Sequence, residues 1–157
     1  GYYSDAARTY PVGKTDDVHA KLIKTAEDSF FEGLKFCRKG NRLGDVSHAI
    51  QKHVEQAGFS VIRDYVGHGV GRDLHEDPPV PNYGKAHHGP QLVPGMVLAI
   101  EPMIAAGDYD VDVLMNNWTA VTIDGSYAAH YENTVLIKKN GVEILTKTAD
   151  LEAYNLE

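Results

Sequence analysis

The chain has 157 residues, 43% of them hydrophobic and 24% charged, a composition that suits one globular unit with a real core. Lysine and arginine number 15 against 22 aspartate and glutamate, and the net charge of -7 argues against a nucleic-acid surface or an anionic membrane as partner. The one cysteine, Cys37, leaves no internal disulfide and points to a reducing cytoplasm, and no apolar run reaches the roughly 18 residues of a membrane span.

Tyr2 to Val12, rich in aromatic and small residues and closed by Pro11 and Gly13, reads as a strand and a turn, with Asp5 inside it where an acid is unfavoured unless paired. Thr15 then caps a helix expected to run to about Arg38, with Val18, Leu22, Ala26, Phe30 and Leu34 as its apolar stripe. Asp45 caps a second helix to Ala57, burying Val46, Ile50 and Val54 and stopped by Gly58. His19, His48 and His53 on these helices read as surface or capping residues. Phe59 to Val66 is a strand leading into Gly67-His68-Gly69-Val70-Gly71-Arg72, where a histidine between glycines marks a place that something approaches closely.

Asp77 to Pro94 is a long, proline-rich loop whose His87 and His88 face solvent. Met96 to Met103 returns to an apolar strand carrying Glu101. Short strands follow around Val111 and Val113, at Trp118 to Ile123, Tyr131 to Ile137 and Val142 to Leu145, with turns at Asp124-Gly125 and Asn140-Gly141. Two helices followed by a run of strands predict an α+β fold with a largely antiparallel sheet, as one domain over 1–157. The chain opens at Gly1 within a strand-like pattern and without an initiator methionine, and it reads as a piece of something longer.

An acid inside a strand costs free energy to bury unless a cation compensates it. Glu101 has no basic neighbour in sequence, and Glu132 has only Lys138 and Lys139. With Asp5 and His68 they make three carboxylates and one imidazole, the ligands of a divalent metal. That set is hard enough for Mn²⁺, Fe²⁺, Co²⁺ or a catalytic Zn²⁺ rather than a structural zinc site, and it points to hydrolysis. His68 binds such a metal only as neutral imidazole, so acid should eject the ion. A phosphate loop is a poor alternative, because Arg72-Asp73-Leu74-His75-Glu76-Asp77-Pro78-Pro79 leaves too little helix after the glycines. A Gly-x-Ser-x-Gly elbow is absent, and Cys37 has no evident base.

Ser4-Asp5-Ala6-Ala7-Arg8-Thr9, the Gly67 to Arg72 stretch with His75, Glu101-Pro102-Met103, Trp118-Thr119 and Tyr131-Glu132-Asn133-Thr134 together resemble, in order, the motifs of type I methionine aminopeptidases. The resemblance implies the pita-bread fold, this chain being its C-terminal half with one strand of the first half. It implies Asp5 and Glu132 as bridging metal ligands, His68 as the imidazole ligand, and Glu101 as a ligand and general base. His75 would contact substrate and steady the tetrahedral intermediate, and Trp118 would lie near the substrate pocket, with a buried core tryptophan as the alternative. His130, two residues before Glu132, is a candidate supporting residue on the same strand face.

The implied activity is metal-dependent removal of N-terminal methionine from peptides, with the proline-dipeptidase branch of the fold or an inactive half-domain serving as a binding module as alternatives. The family binds two metals. Its further aspartate ligand, upstream of the position matched by Asp5, and its first-half substrate histidine are not in this chain. Expected consequences are a weakened second metal position, and self-association or pairing with the absent segment through uncovered apolar surface.

Overall fold

A computed structural model describes residues 1–148 of the chain; the end of the expected single unit, 149–157, lies outside the described residues. Two helices, α1 (Asp17–Leu34) and α2 (Leu43–Gln56), precede all but the first of the strands. Leu22, Ala26, Phe30 and Leu34 are buried as the helical spacing predicts, but Val18, in the first turn, is exposed. The cap of α1 is Asp16 rather than Thr15, its carboxylate accepting from His19 N, and the helix ends at Leu34, short of Arg38. Asp45 is not the residue that precedes α2. It sits in the first turn and accepts from Arg42 N (2.8 Å) and from His87 N (2.8 Å). The helices cross where Gly33 faces Ile50, since a Cβ on Gly33 would stand 2.8 Å from Ile50 Cγ1.

Among the described residues eleven strands pair, every pair antiparallel. The main sheet contains β1 (Ala6–Ala7), β3 (Gly67–Gly69), β4 (Glu76–Val80), β5 (Val97–Ile100), β10 (Glu132–Ile137) and β11 (Val142–Ile144), in the order β1-β10-β5-β3-β4 with β11 beside β10. A second sheet joins β2 (Ser60–Val61), β6 (Met103–Ala105) and β9 (Ala128–His130), and β7 (Val111–Val113) pairs with β8 (Ala120–Thr122). α1 lies against β6 and β9 and α2 against β2. Phe30, Ile50, Ile104 and Val135 are fully enclosed, each contributing about 1.5–3 kcal/mol relative to leaving it exposed.

Several expected strands are shorter than their apolar runs. Tyr2 to Val12 forms only β1, and Phe59 to Val66 only β2; Gly67-His68-Gly69 is itself a strand. The glycines are there for close approach. A Cβ on Gly67 would lie 2.3 Å from Ala99 O, and one on Gly69 2.3 Å from Asp77 O, so β3 fits between β5 and β4 only with bare backbone on both sides of His68. Pro78 and Pro79, expected in a loop, belong to β4; as an edge strand it tolerates residues that donate nothing to the ladder.

The rest of that loop is ordered, because its carbonyls take up the free N–H groups at the start of α2: Leu43 N donates to Pro90 O (2.9 Å) and Gly44 N to His88 O (2.9 Å). The most consequential difference falls at Glu101. Met96 to Met103 is two strands in two sheets, broken at Glu101-Pro102, and its partner is broken in step at Tyr131, between β9 and β10. Pro102 has no N–H to continue the ladder. Ile100 pairs with Asn133 on one side of this seam and Met103 with His130 on the other.

Candidate metal centre

The seam explains how two glutamates come to occupy strand-like sequence. Where both segments step from one sheet to the other, Glu101 lies in the gap between β5 and β6 while Glu132 opens β10, and both come close to His68 on β3, which sits beside Ala99 in register. Asp5, just before β1, closes the group from the other edge of β10. His68 Nε2 stands 3.4 Å from Glu101 Oε1 and 3.6 Å from Asp5 Oδ2. His130 Nε2 is 3.3 Å from Glu101 Oε2 and 4.0 Å from Glu132 Oε2. Two sets have ligand atoms all within 4.8 Å of one another: Asp5, His68 and Glu132, and Glu101, His130 and Glu132. The four expected ligands thus meet, and Glu132 belongs to both sets.

The donor atoms have the properties of a cation cradle. His68 Nδ1 lies 2.9 Å from Gly69 O, which accepts only if Nδ1 carries the proton, and the neutral ring then presents a bare Nε2 to the carboxylates. A lone pair facing carboxylate oxygens repels them unless a positive charge is shared among them. Glu132 is 3% exposed, and its Oε1 is buried without a hydrogen-bond partner, as is His130 Nε2 despite the nearby carboxylates. Burial, then the neighbouring charges of Glu101 and Asp5, push the Glu132 carboxyl up to about 8, with Arg8 only partly opposing them.

Among the described residues no lysine or arginine forms an ion pair with Asp5, Glu101 or Glu132. Lys138 pairs instead with Glu143. Arg8 comes near but spends its guanidinium on Ala7 O, Glu132 O and Asn133 Oδ1, over the ring of Tyr131. A divalent cation fits the residues present.

His75, exposed, sets its ring edge-on to His68 with centroids 4.3 Å apart. Both line a cleft of about 500 Å³ with Val66, Glu76, Asp77 and Pro79. A larger groove of about 740 Å³, with Tyr2, Tyr3 and Met96 among its lining, touches none of the ligands. Trp118 is not a core residue: it is 87% exposed at the turn of the β7–β8 hairpin, outside the ligand sets and the His75 cleft.

His130 reaches the site, but not as one continuous strand with Glu132; the two flank the break at Tyr131. His48 and His88 are exposed, and His87, 89% exposed, pairs with Asp45. The sequence carried no signal for the supporting contacts of Arg8, Thr9, Asn82 and Thr134. Asn82, fully buried, donates to Glu101 O at 3.0 Å, fixing the carbonyl at the seam from the far end of β4.

The pattern of Metallopeptidase family M24 matches residues 1–139. A methionine aminopeptidase of Clostridium acetobutylicum is 59% identical over 146 residues, covering 93% of this chain and 58% of its own length. The crystal structure of a methionine aminopeptidase from Thermotoga maritima superposes with a TM-score of 0.92 at 56% identity, over 94% of this chain and 59% of that one. A prolidase structure from Pyrococcus horikoshii OT3 is more distant, with a TM-score of 0.72 and 26% identity over 94% of this chain and 37% of that one. The chain therefore spans somewhat under three-fifths of the length of the methionine aminopeptidases it matches.

Proposed function

This chain belongs to metallopeptidase family M24, and on that premise we propose that it carries the metal-dependent hydrolysis of peptides that releases an N-terminal methionine. The observation that carries the reading is the convergence of Asp5, His68, Glu101 and Glu132, from four separate strand regions, on one cluster with buried and unpartnered donor atoms. Asp5, His68, Glu101 and Glu132 would hold the divalent cation, whether Mn²⁺, Fe²⁺, Co²⁺ or Zn²⁺. When bound, such an ion supplies Lewis acidity and makes water acidic enough to react near neutral pH.

The chain's own residues then have separate tasks. Gly69 O holds the His68 ring so that Nε2 faces inward. Glu101, with its side chain only 12% exposed, takes a proton from the attacking water and passes it to the leaving amine. His75, at the mouth of the cleft, donates to the carbonyl oxygen as negative charge develops there. Trp118 is proposed to contact the substrate from its exposed hairpin. Three carboxylates carry -3 against the +4 of two divalent ions, so one cation is held tightly and a second weakly; two tight equivalents of Mn²⁺ in calorimetry would overturn that.

The chain is proposed to act as one catalytic unit in the cytoplasm, without nucleic acid or membrane as a partner. Among the described residues, no helix is long and apolar enough to cross a membrane. Met115, Trp118, Ile123 and Tyr127, all exposed on and beside one hairpin, support the proposal of self-association; a strictly monomeric species at high concentration in sedimentation would overturn it.

The test of the main reading is hydrolysis of Met-Gly against X-Pro peptides, with Mn²⁺ added. Release of methionine, lost in Glu101→Gln and on chelation, is expected, and His75→Ala should lower kcat about 10²–10³-fold. Cleavage confined to X-Pro peptides would move the chain to the prolidase reading.

A further inference from the structure

The pairing between β1 and β10 is unusually small for what depends on it. It has two rungs, Ala6 with Asn133 and Ala7 with Glu132, yet it sets the separation of Asp5 from Glu132. At the next position the edge of β10 changes hands. Leu145 N donates to Thr134 O (2.9 Å), and Thr134 N donates to Thr146 Oγ1 (3.1 Å), so the backbone of Thr134 has nothing left for Asp5. The Thr134 hydroxyl does the pairing instead: it accepts from Asp5 N at 3.2 Å and donates to Asp5 O at 2.8 Å.

The other end of β1 repeats the device with the roles exchanged. Thr9 Oγ1 accepts from His130 N (2.9 Å) and donates to His130 O (2.9 Å). Between the two clasps Arg8 grips Glu132 O and Asn133 Oδ1, and Thr146 Oγ1 donates to the same Asn133 oxygen at 2.9 Å.

From this geometry we infer that Thr134 and Thr9 are positioning residues, whose hydroxyls complete a two-rung strand pair and thereby fix Asp5 and His130 against Glu132 for cation binding. A β-branched side chain suits the task, because its χ1 is restricted before any bond is made. Thr134 is 2% exposed, so solvent does not replace its hydroxyl when it is removed. Without the clasp, Asp5, which precedes β1 and has no backbone rung to β10, is free to swing away from His68 and Glu132. The inference rests on the reading of these residues as a cation site.

Titration of the 157-residue chain with Mn²⁺ alone, by calorimetry well below the melting temperature of each variant, tests it. Thr134→Val keeps the volume and loses both bonds, and should weaken Mn²⁺ binding by about 10–100-fold, the range for residues that orient ligands. Thr134→Ser keeps the hydroxyl and should restore affinity to within a few-fold of the parent. Thr9→Val, at a less buried position, should produce a smaller loss and carries the test if Thr134→Val does not fold. A role in stability alone would lower the melting temperature of the valine variants and leave their Kd unchanged, and that result would overturn the inference while leaving the cation site intact. A parent chain that binds no Mn²⁺ would overturn both.

Discussion

Glu132 shows at a single residue what the proposed cation cluster costs the fold. Its carboxyl, at about 8 against an ordinary 4.5, is destabilised in its charged form by burial and by Glu101 and Asp5. A raised acid in the folded state means that the metal-free fold loses stability as pH rises from about 4.5 to about 8, and no further once both states are ionised. The melting temperature of the metal-free chain should therefore fall across that window, and Mn²⁺ should raise it more at pH 8 than at pH 5, because the ion competes with the proton. Glu132→Gln should raise the metal-free melting temperature at pH 8, by about 2–4 °C for each kcal/mol of strain relieved, and abolish tight Mn²⁺ binding in calorimetry. Stability gained with function lost is the signature of a residue retained for its ligand. Asp45 has the opposite sign. Burial pushes its carboxyl up, but the N–H groups of Arg42 and His87 and their charges hold it below its ordinary 3.8, so its contribution is full above that value and is lost as pH falls through the lowered one. Asp45→Ala should cost about 2 kcal/mol in denaturant unfolding near neutral pH, for two backbone donors to a charged acceptor.

The strand β3 carries the element-scale argument. His68 has to face the carboxylates from a position flanked by β4 and β5, and neither Gly67 nor Gly69 has room for a methyl group beside the neighbouring carbonyls. Gly67→Ala should cost about 1–3 kcal/mol by overpacking, measured as a shift of the urea midpoint at unchanged slope, and should weaken Mn²⁺ binding because β3 must back away from β5. The paired breaks at Glu101-Pro102 and Tyr131 are the second device at this scale. Two antiparallel segments pass together from one sheet to the other, so that Glu101 falls between β5 and β6 while His130 closes β9 and Glu132 opens β10 on either side of Tyr131.

For the whole molecule, cation binding and folding should be linked, since the proposed ligands come from residues 5, 68, 101 and 132 and come together as a set only in the native state. Free Mn²⁺ at 100 times its Kd should stabilise the chain by about 2.7 kcal/mol, and chelation should reverse the gain. Thermal melts at several free-ion concentrations check this directly: a midpoint independent of Mn²⁺ would mean that the native state has no preferential site. Cys37 takes no part in any of this. It is buried in the core, and burial pushes its thiol up to about 12, so thiol reagents should leave the native chain unmodified on the time scale of these titrations.

The sequence alone determined the helices, through the 3.6-residue spacing of Leu22, Ala26 and Phe30 and of Val46, Ile50 and Val54, and it marked Asp5, His68, Glu101 and Glu132, because an acid in an apolar run or a histidine between glycines breaks a local pattern. It also carried the family, since those motifs in that order are a property of the chain itself. Only the tertiary structure decided where the strands end: the apolar runs at Tyr2 to Val12, Phe59 to Val66 and Met96 to Met103 are cut by the neighbours available to pair with them, which no local pattern records. The same holds for the support of the site. Thr9 and Thr134 are ordinary strand residues until the fold sets each hydroxyl against a backbone more than a hundred positions away, and a hydrogen bond of that kind has no period, spacing or composition by which the linear chain could announce it.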